Sequence, residues 1–254
     1  MSAYQKFIDH SNLTLSRIKV IGVGGCGSNV VESMIQDGAK GMELISADAY
    51  SSFELNKTTH RMIQLRQQSR LDGSAESAFY DAEDAEGDIR NAIENTSMLF
   101  ISAGMAGTTG AEAAPVIARI ARQMGIVTVG VAIMPFAWEG GRRMKTADTS
   151  LAKLTANIDA VVELSNERMV NYLEGYSIDD AFASANYVVK SVLSCIADAI
   201  DKREVANLKY ESAPDFVGAS YKFMVSSNPR LNCVDIHTLR SALYALCNER
   251  YKTG

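Results

Sequence analysis

The sequence predicts an α/β fold built on a doubly wound, mostly parallel sheet, and three observations predict it. Short apolar runs alternate with helical patterns along residues 17–202, as repeated βα units require. Two of those runs feed straight into glycine-rich turns, Gly22-Val-Gly-Gly-Cys-Gly27 and Gly104-Met-Ala-Gly-Thr-Thr-Gly110, and each turn precedes a helical pattern. The composition, 47% hydrophobic and 22% charged over 254 residues, belongs to a chain that can bury a full core. Together they point to a Rossmann-like arrangement.

The elements follow in order. Residues 17–23 form the first strand and 29–37 the first helix; Glu43 to Asp48 is a strand that ends on an acid, and 61–65 a third strand. A polar segment with helical spacing, 82–95, leads into the apolar run 97–102. Helices are predicted over 113–124 and 144–157, with strands over 127–134 and 160–164. One long helical pattern, 178–202, closes the α/β region. From 204 to 230 the composition turns mixed polar and aromatic, with β-like runs at 207–210 and 221–225, and 239–250 reads as a final helix. The chain divides into an N-terminal extension (1–16), a ligand-binding domain (17–203), an inserted arm (204–230) and a closing loop and helix (231–254).

Several classes are excluded by composition. A net charge of −5 with no basic run argues against nucleic acid as a partner, because phosphate neutralisation needs clustered Lys and Arg. The first 17 residues lack a signal-peptide layout and no apolar stretch reaches the roughly 20 residues that cross a bilayer, so we expect no membrane insertion and a cytoplasmic protein. Cys26, Cys195, Cys233 and Cys247 show no C-x-x-C spacing, and three histidines are scattered, so no metal site or disulfide framework is expected.

The first glycine turn can hold phosphate on its amides and on the helix dipole, through Gly22, Gly24, Gly25, Cys26 and Gly27. Asp48 falls near the distance at which a dinucleotide-binding acid meets ribose, which leaves a nicotinamide or flavin enzyme open at this point. A tight turn that needs glycine only for its backbone is the plainer alternative. The second turn, Gly104, Met105, Ala106, Gly107, Thr108, Thr109 and Gly110, shifts the balance, since two such turns can wrap a triphosphate and a dinucleotide fold has no need of the second.

Residues 102–116 resemble the glycine-rich signature of the FtsZ and tubulin superfamily: Gly104, Met105, Gly107, Thr109, Gly110 and Ala113-Ala-Pro115 stand in register. Ala106, Thr108 and Glu112 replace family glycines, as do Cys26 and Ser28 in the first turn, where Asn29 is retained. The stretch 135–143 resembles the family segment whose Glu and Arg contact ribose and phosphate, which implies those roles for Glu139 and Arg143. Asn166-Glu-Arg168 is similar to the family's Asn-Asp-Arg element, and 180–186 to the start of its central helix. Phe182 and Asn186, four apart, share a helical face on which a ring can stack on a base and an amide can bond its edge. The resemblance implies GTP or GDP as ligand, Mg2+ as an accompanying ion, and self-association or an FtsZ-type protein as partner.

Departures from the family pattern shape the functional expectation. The resemblance places an acid acting on a neighbouring subunit's nucleotide at Asp235, but Thr238 stands where a second acid belongs and Cys233 replaces an Asn. A threonine hydroxyl cannot polarise water as a carboxylate does, so hydrolysis is expected to be very slow or absent. Asp72 and Glu76 replace a glycine-rich turn and repel phosphate unless a metal bridges them, with Arg70 alongside to compensate. The family continues into a second β-rich domain, which we expect to be absent or vestigial here. These features suggest an assembly or regulatory factor, with an active GTPase working through a reduced interface and a nucleotide-free scaffold as alternatives.

Overall fold

The computed structural model describes residues 18–36, 38, 42–49, 60–65, 74–166 and 193, and the backbone of 221–225. The order is β1 (Ile18–Val23), α1 (Gly24–Gln36), β2 (Glu43–Asp48), β3 (His60–Gln64), α2 (Ala75–Asp84), α3 (Glu86–Ile93), β4 (Met98–Gly104), α4 (Thr108–Gln123), β5 (Val127–Met134), a 3-10 turn (Ala137–Glu139), α5 (Gly141–Thr155), β6 (Ala160–Ser165) and β7 (Tyr221–Val225). They form one sheet in the order β3-β2-β1-β4-β5-β6-β7. The first six strands are parallel, and β7 pairs antiparallel with β6 at the edge. The predicted mostly parallel, doubly wound sheet is what the chain forms.

Both faces of the sheet are covered, which is why its central strands are apolar runs and not alternating patterns. Ile21, Val23, Ile45, Ala47, Leu99, Ile101 and Ala103 recur at every second position on adjacent strands and join one core with α2 to α5. On the other face Val20, Leu44 and Phe100 sit in register, and α1 packs on β1, β2 and β4 with Val30, Val31 and Met34 buried. Lys19 is the exception inside β1. Its ammonium reaches Glu43 Oε2 at 2.7 Å and the Ala92 carbonyl at 2.8 Å, so the charge is paired where the strand begins.

The strands fall where the apolar runs place them, within a residue or two. The helices differ more. Helix α1 starts at Gly24 and α4 at Thr108, both earlier than the sequence pattern suggests, because glycine has poor intrinsic helix propensity and reads as loop until packing decides otherwise. The segment that reads as one helix over 82–95 is two helices, α2 and α3, interrupted at Ala85. The run 221–225, which reads as part of an arm, is β7 of the main sheet. The expected helices at 178–202, Leu193 apart, and at 239–250, the β-like run at 207–210 and the extension 1–16 lie outside the described residues.

Ion pairs tie the helical layer together. Arg119 holds Glu83 at 2.7 Å, joining α4 to α2, and Lys153 holds Glu112 at 2.8 Å, joining α5 to α4. Glu112, a departure in the glycine-rich signature, therefore has a structural role on the flank of α4. Half-exposed pairs of this kind contribute little to stability individually. No helix among the described residues is long and apolar enough to cross a membrane.

His60 in β3 carries a pH signature. Its Nε2 lies 2.8 Å from Ser46 Oγ, and burial lowers its pKa from the ordinary 6.5, opposed by the nearby Glu32 carboxylate. The folded state thus takes up this proton less readily than the unfolded chain. Its contribution to stability is full above the unfolded value and is lost as pH falls through 6.5 to the lowered folded value. Thermal melts between about pH 7.5 and about pH 5 should show a declining midpoint, and His60→Gln should flatten part of that slope. An unchanged slope in the variant would assign it to other groups.

Candidate functional site

The strand order reverses between β1 and β4: the chain leaves β1 toward β2 and β3, then returns to the other side through β4, β5 and β6. Connections leaving the carboxyl ends of β1 and β4 diverge at that point, and open α/β sheets hold their ligands in the crevice so formed. A cavity of about 490 Å3 opens there. Its middle is made by the starts of α1 and α4, with Gly24, Gly25, Cys26 and the turn from Gly104 through Ala106, Gly107, Thr108, Thr109 and Gly110. Asp48, Ser74, Ser77 and Asp81 close one end; Met134, Pro135, Glu139, Arg143 and Asn166 close the other.

The glycines of the two turns divide into two kinds. A Cβ on Gly22 would overlap the Gly27 carbonyl, one on Gly27 would overlap the Ser102 carbonyl, one on Gly24 would lie 2.9 Å from the Gly110 amide, and one on Gly110 would lie 2.7 Å from the Gly104 carbonyl. Gly24 also has φ +68, a left-handed conformation that suits glycine. These residues press the β1–α1 corner onto the β4–α4 corner, which gives each a packing reason to be glycine, while Gly24 and Gly110 also line the cavity. Gly25 is different: a Cβ there would meet nothing within 4 Å and would project into open space at the cavity. Gly107 has almost as much room, its nearest neighbour being the Gly104 carbonyl at 3.7 Å.

This clamp brings two helix starts side by side without side-chain caps. Val23, which precedes α1, has no polar side chain, Gly107 caps α4 without a side-chain bond, and neither helix has an acid in its first turn. Free first-turn amides and aligned dipoles make such ends sites for anions. Cys26 sits between them, open to the cavity yet walled by protein. Burial first, then the Glu139 carboxylate, push its thiol up to about 11, so it is neutral near pH 7.

At the far end Glu139 and Arg143 pair at 2.8 Å, and the other Glu139 oxygen accepts from the Phe136 amide at 2.8 Å, which locks the 3-10 turn. Trp138, the single tryptophan, stacks on buried Phe136 at 5.1 Å and is exposed beside this pair. Asn166, at the end of β6, is buried and lines the cavity, and its Oδ1 accepts no hydrogen bond among the described residues. A buried orphan acceptor facing a cavity is a place for a ligand donor.

Not every residue singled out from the sequence reaches the cavity wall. Gly22 and Gly27 lie behind it as packing residues, and Asn29, exposed on α1, is not among the residues that line it. Met105 turns into the core, and its amide donates to the Ile133 carbonyl at 2.9 Å. Phe182, Asn186 and Asp235, with Arg70, Asp72, Cys233 and Thr238, lie outside the described residues. Asp48 does line the cavity, its Oδ1 accepting from the Ala49 amide at 2.7 Å. Sequence reasoning misses Ser74, Ser77 and Asp81. The available signal is Ser74 itself, a good N-cap residue followed by a helical pattern. Among the described residues no group of three or more His, Cys, Asp or Glu could hold a metal ion.

Comparison with known proteins agrees with this architecture. Residues 17–174 match the Tubulin/FtsZ family, GTPase domain. The cell division protein FtsZ of Buchnera aphidicola subsp. Schizaphis graminum is 34% identical over 198 residues, covering 76% of this chain and 52% of the relative. That of Rickettsia conorii is 37% identical, covering 76% and 44%. The chain thus spans about half the length of the curated relatives it matches. The solved structure of an empty FtsZ dimer from M. jannaschii superposes with a TM-score of 0.71 at 26% identity, over 82% of this chain and 62% of that one. With its sheet order, its paired glycine turns and these relatives in agreement, the chain belongs to the tubulin/FtsZ family.

Proposed function

We propose that the chain binds a guanine nucleotide, GTP or GDP, in the cavity at the β1/β4 crevice, hydrolyses it slowly or not at all, and acts as an assembly or regulatory factor through self-association or an FtsZ-type partner. The observation that carries this reading is the pair of helix starts locked together by glycine, with no polar side chain at Val23 and no side-chain cap at Gly107, and with open space where a Cβ on Gly25 would project. The orphan Oδ1 of Asn166 supplies an acceptor for a donor on the sugar or base. Guanine preference rests on the resemblance of the segment holding Phe182 and Asn186. Slow turnover rests on Thr238, where a hydroxyl replaces a carboxylate. Mg2+ is proposed as the companion ion of the phosphates, not as a resident of a protein-built site.

The purified protein, denatured and analysed by chromatography, should release guanine nucleotide or take it up on addition. Phosphate release from GTP per protein molecule should be slow or at the buffer rate, and should not rise with protein concentration. Turnover that climbs steeply with protein concentration would establish the active, self-associating GTPase instead. Failure to take up any guanosine phosphate, with Mg2+ present, would leave only the scaffold reading.

A further inference from the structure

Cys26 is the one cysteine among the described residues, and it stands at the cavity and not in the core. It is the third residue of α1, exposed, and set between the two helix starts. Its side chain leans across to the second glycine turn: a Cβ built on Gly104 would lie 2.9 Å from Cys26 Cβ and 3.3 Å from its Sγ. Gly104 is thus a glycine that makes room for the thiol. On either side of Cys26 the backbone is pinned, Gly24 against the Gly110 amide and Gly27 against the Ser102 carbonyl, so no shift of the turn withdraws the thiol from the cavity.

A group attached to that sulfur has to extend into the cavity. Gly104 lies at contact distance on one side, and the open side is the space over neighbouring Gly25, where a Cβ would meet nothing within 4 Å. A second observation, independent of the thiol, marks the cavity as one that receives a ligand. Asn166, 4% exposed, faces it with an Oδ1 that accepts no hydrogen bond among the described residues. A ligand in the cavity and a group on Cys26 therefore claim the same volume.

Resting on the nucleotide reading above, we propose that Cys26 is a modification site for low-molecular-weight disulfides, and that a thiol joined to it closes the cavity to nucleotide. The chemistry is thiol–disulfide exchange. The Cys26 thiolate, its proton given to solvent, attacks one sulfur of the disulfide; the new S–S bond forms as the old one breaks, and the other half leaves as a thiolate that takes up a proton. An added thiol reverses the step. Because burial holds the thiol up to about 11, its thiolate fraction at neutral pH is small and the exchange is slow. A bound nucleotide covers the sulfur and slows it further, so the empty protein is the form that is closed.

The test treats the nucleotide-stripped full chain with glutathione disulfide in mildly alkaline buffer, follows the Cys26 peptide by mass spectrometry and measures GDP affinity by calorimetry. Cys26 should gain a glutathione group, and GDP with Mg2+ should slow that gain by about tenfold or more. The modified protein should bind GDP about a hundredfold more weakly, and dithiothreitol should restore the affinity. Cys26→Ala removes the sulfur; whatever its own GDP affinity, treated and untreated samples of it should agree within about twofold. Cys26→Ser is measured in the same way if the alanine variant folds poorly. GDP affinity undiminished by the Cys26 adduct, a loss that persists in the variants, or a Cys26 that stays unmodified while urea-unfolded protein is labelled would overturn the proposal and leave nucleotide binding intact. Failure of the untreated protein to take up GDP would overturn both readings.

Discussion

Gly27→Ala should destabilise the fold by roughly 3 kcal/mol or more, a large part of the roughly 5–15 kcal/mol typical of a domain. The added methyl would overlap the Ser102 carbonyl and lie 2.8 Å from the Gly22 carbonyl carbon. All the atoms it meets are backbone, and they belong to β1 and β4, which are bonded to each other in register from Ile18↔Met98 to Val23↔Ala103. Relief would require separating that strand pair or lifting α1 off the sheet, and both strip buried contacts from Val30, Val31 and Met34. Gly87→Ala in α3 is the matched control, since a Cβ there meets nothing within 4 Å, and it should stabilise by about 0.5–1 kcal/mol through helix propensity. Urea titration of the two variants checks the pair. A Gly27→Ala midpoint close to wild type would show that the corner yields more easily than its packing indicates.

The contrast between those glycines marks the limit of what the sequence discloses. Apolar runs such as Glu43–Asp48 and Val127–Met134 announce their strands directly, because a strand in a covered parallel sheet needs apolar side chains on both faces. The two glycine turns are equally legible as a pair. Which glycine does which task is not, because a methyl that strikes a backbone carbonyl and one that points into empty space look identical as letters. Helix starts at Gly24 and Thr108 are hidden for the same reason: local propensity argues for loop, and tertiary packing overrules it. The edge position of Tyr221–Val225 is set by a partner far away in sequence, β6, and leaves no local trace. The Glu139–Arg143 pair is visible as an i, i+4 spacing. The Ser74 cap is obscured because 70–76 reads as a damaged turn and not as the beginning of α2.

Gly25→Leu should do the reverse of Gly27→Ala: it should keep the fold and abolish the site. Gly25 occupies the second position of α1 with a backbone that an L residue can adopt, it is exposed, and a Cβ added to it would meet no atom within 4 Å. Leucine is a better helix former than glycine by about 0.8 kcal/mol, so the melting temperature should hold or rise slightly. The side chain would fill the space between the starts of α1 and α4, where the phosphates are proposed to lie, and cover the amides that hold them. A loss of about a hundredfold in GDP affinity is expected, equivalent to about 2.7 kcal/mol. Trp138 fluorescence during GDP titration reads the affinity, and circular dichroism during heating reads the fold. Intact folding with undiminished GDP affinity would mean that the phosphates lie elsewhere, because a leucine and a phosphate cannot share the open surface that the glycine clamp leaves.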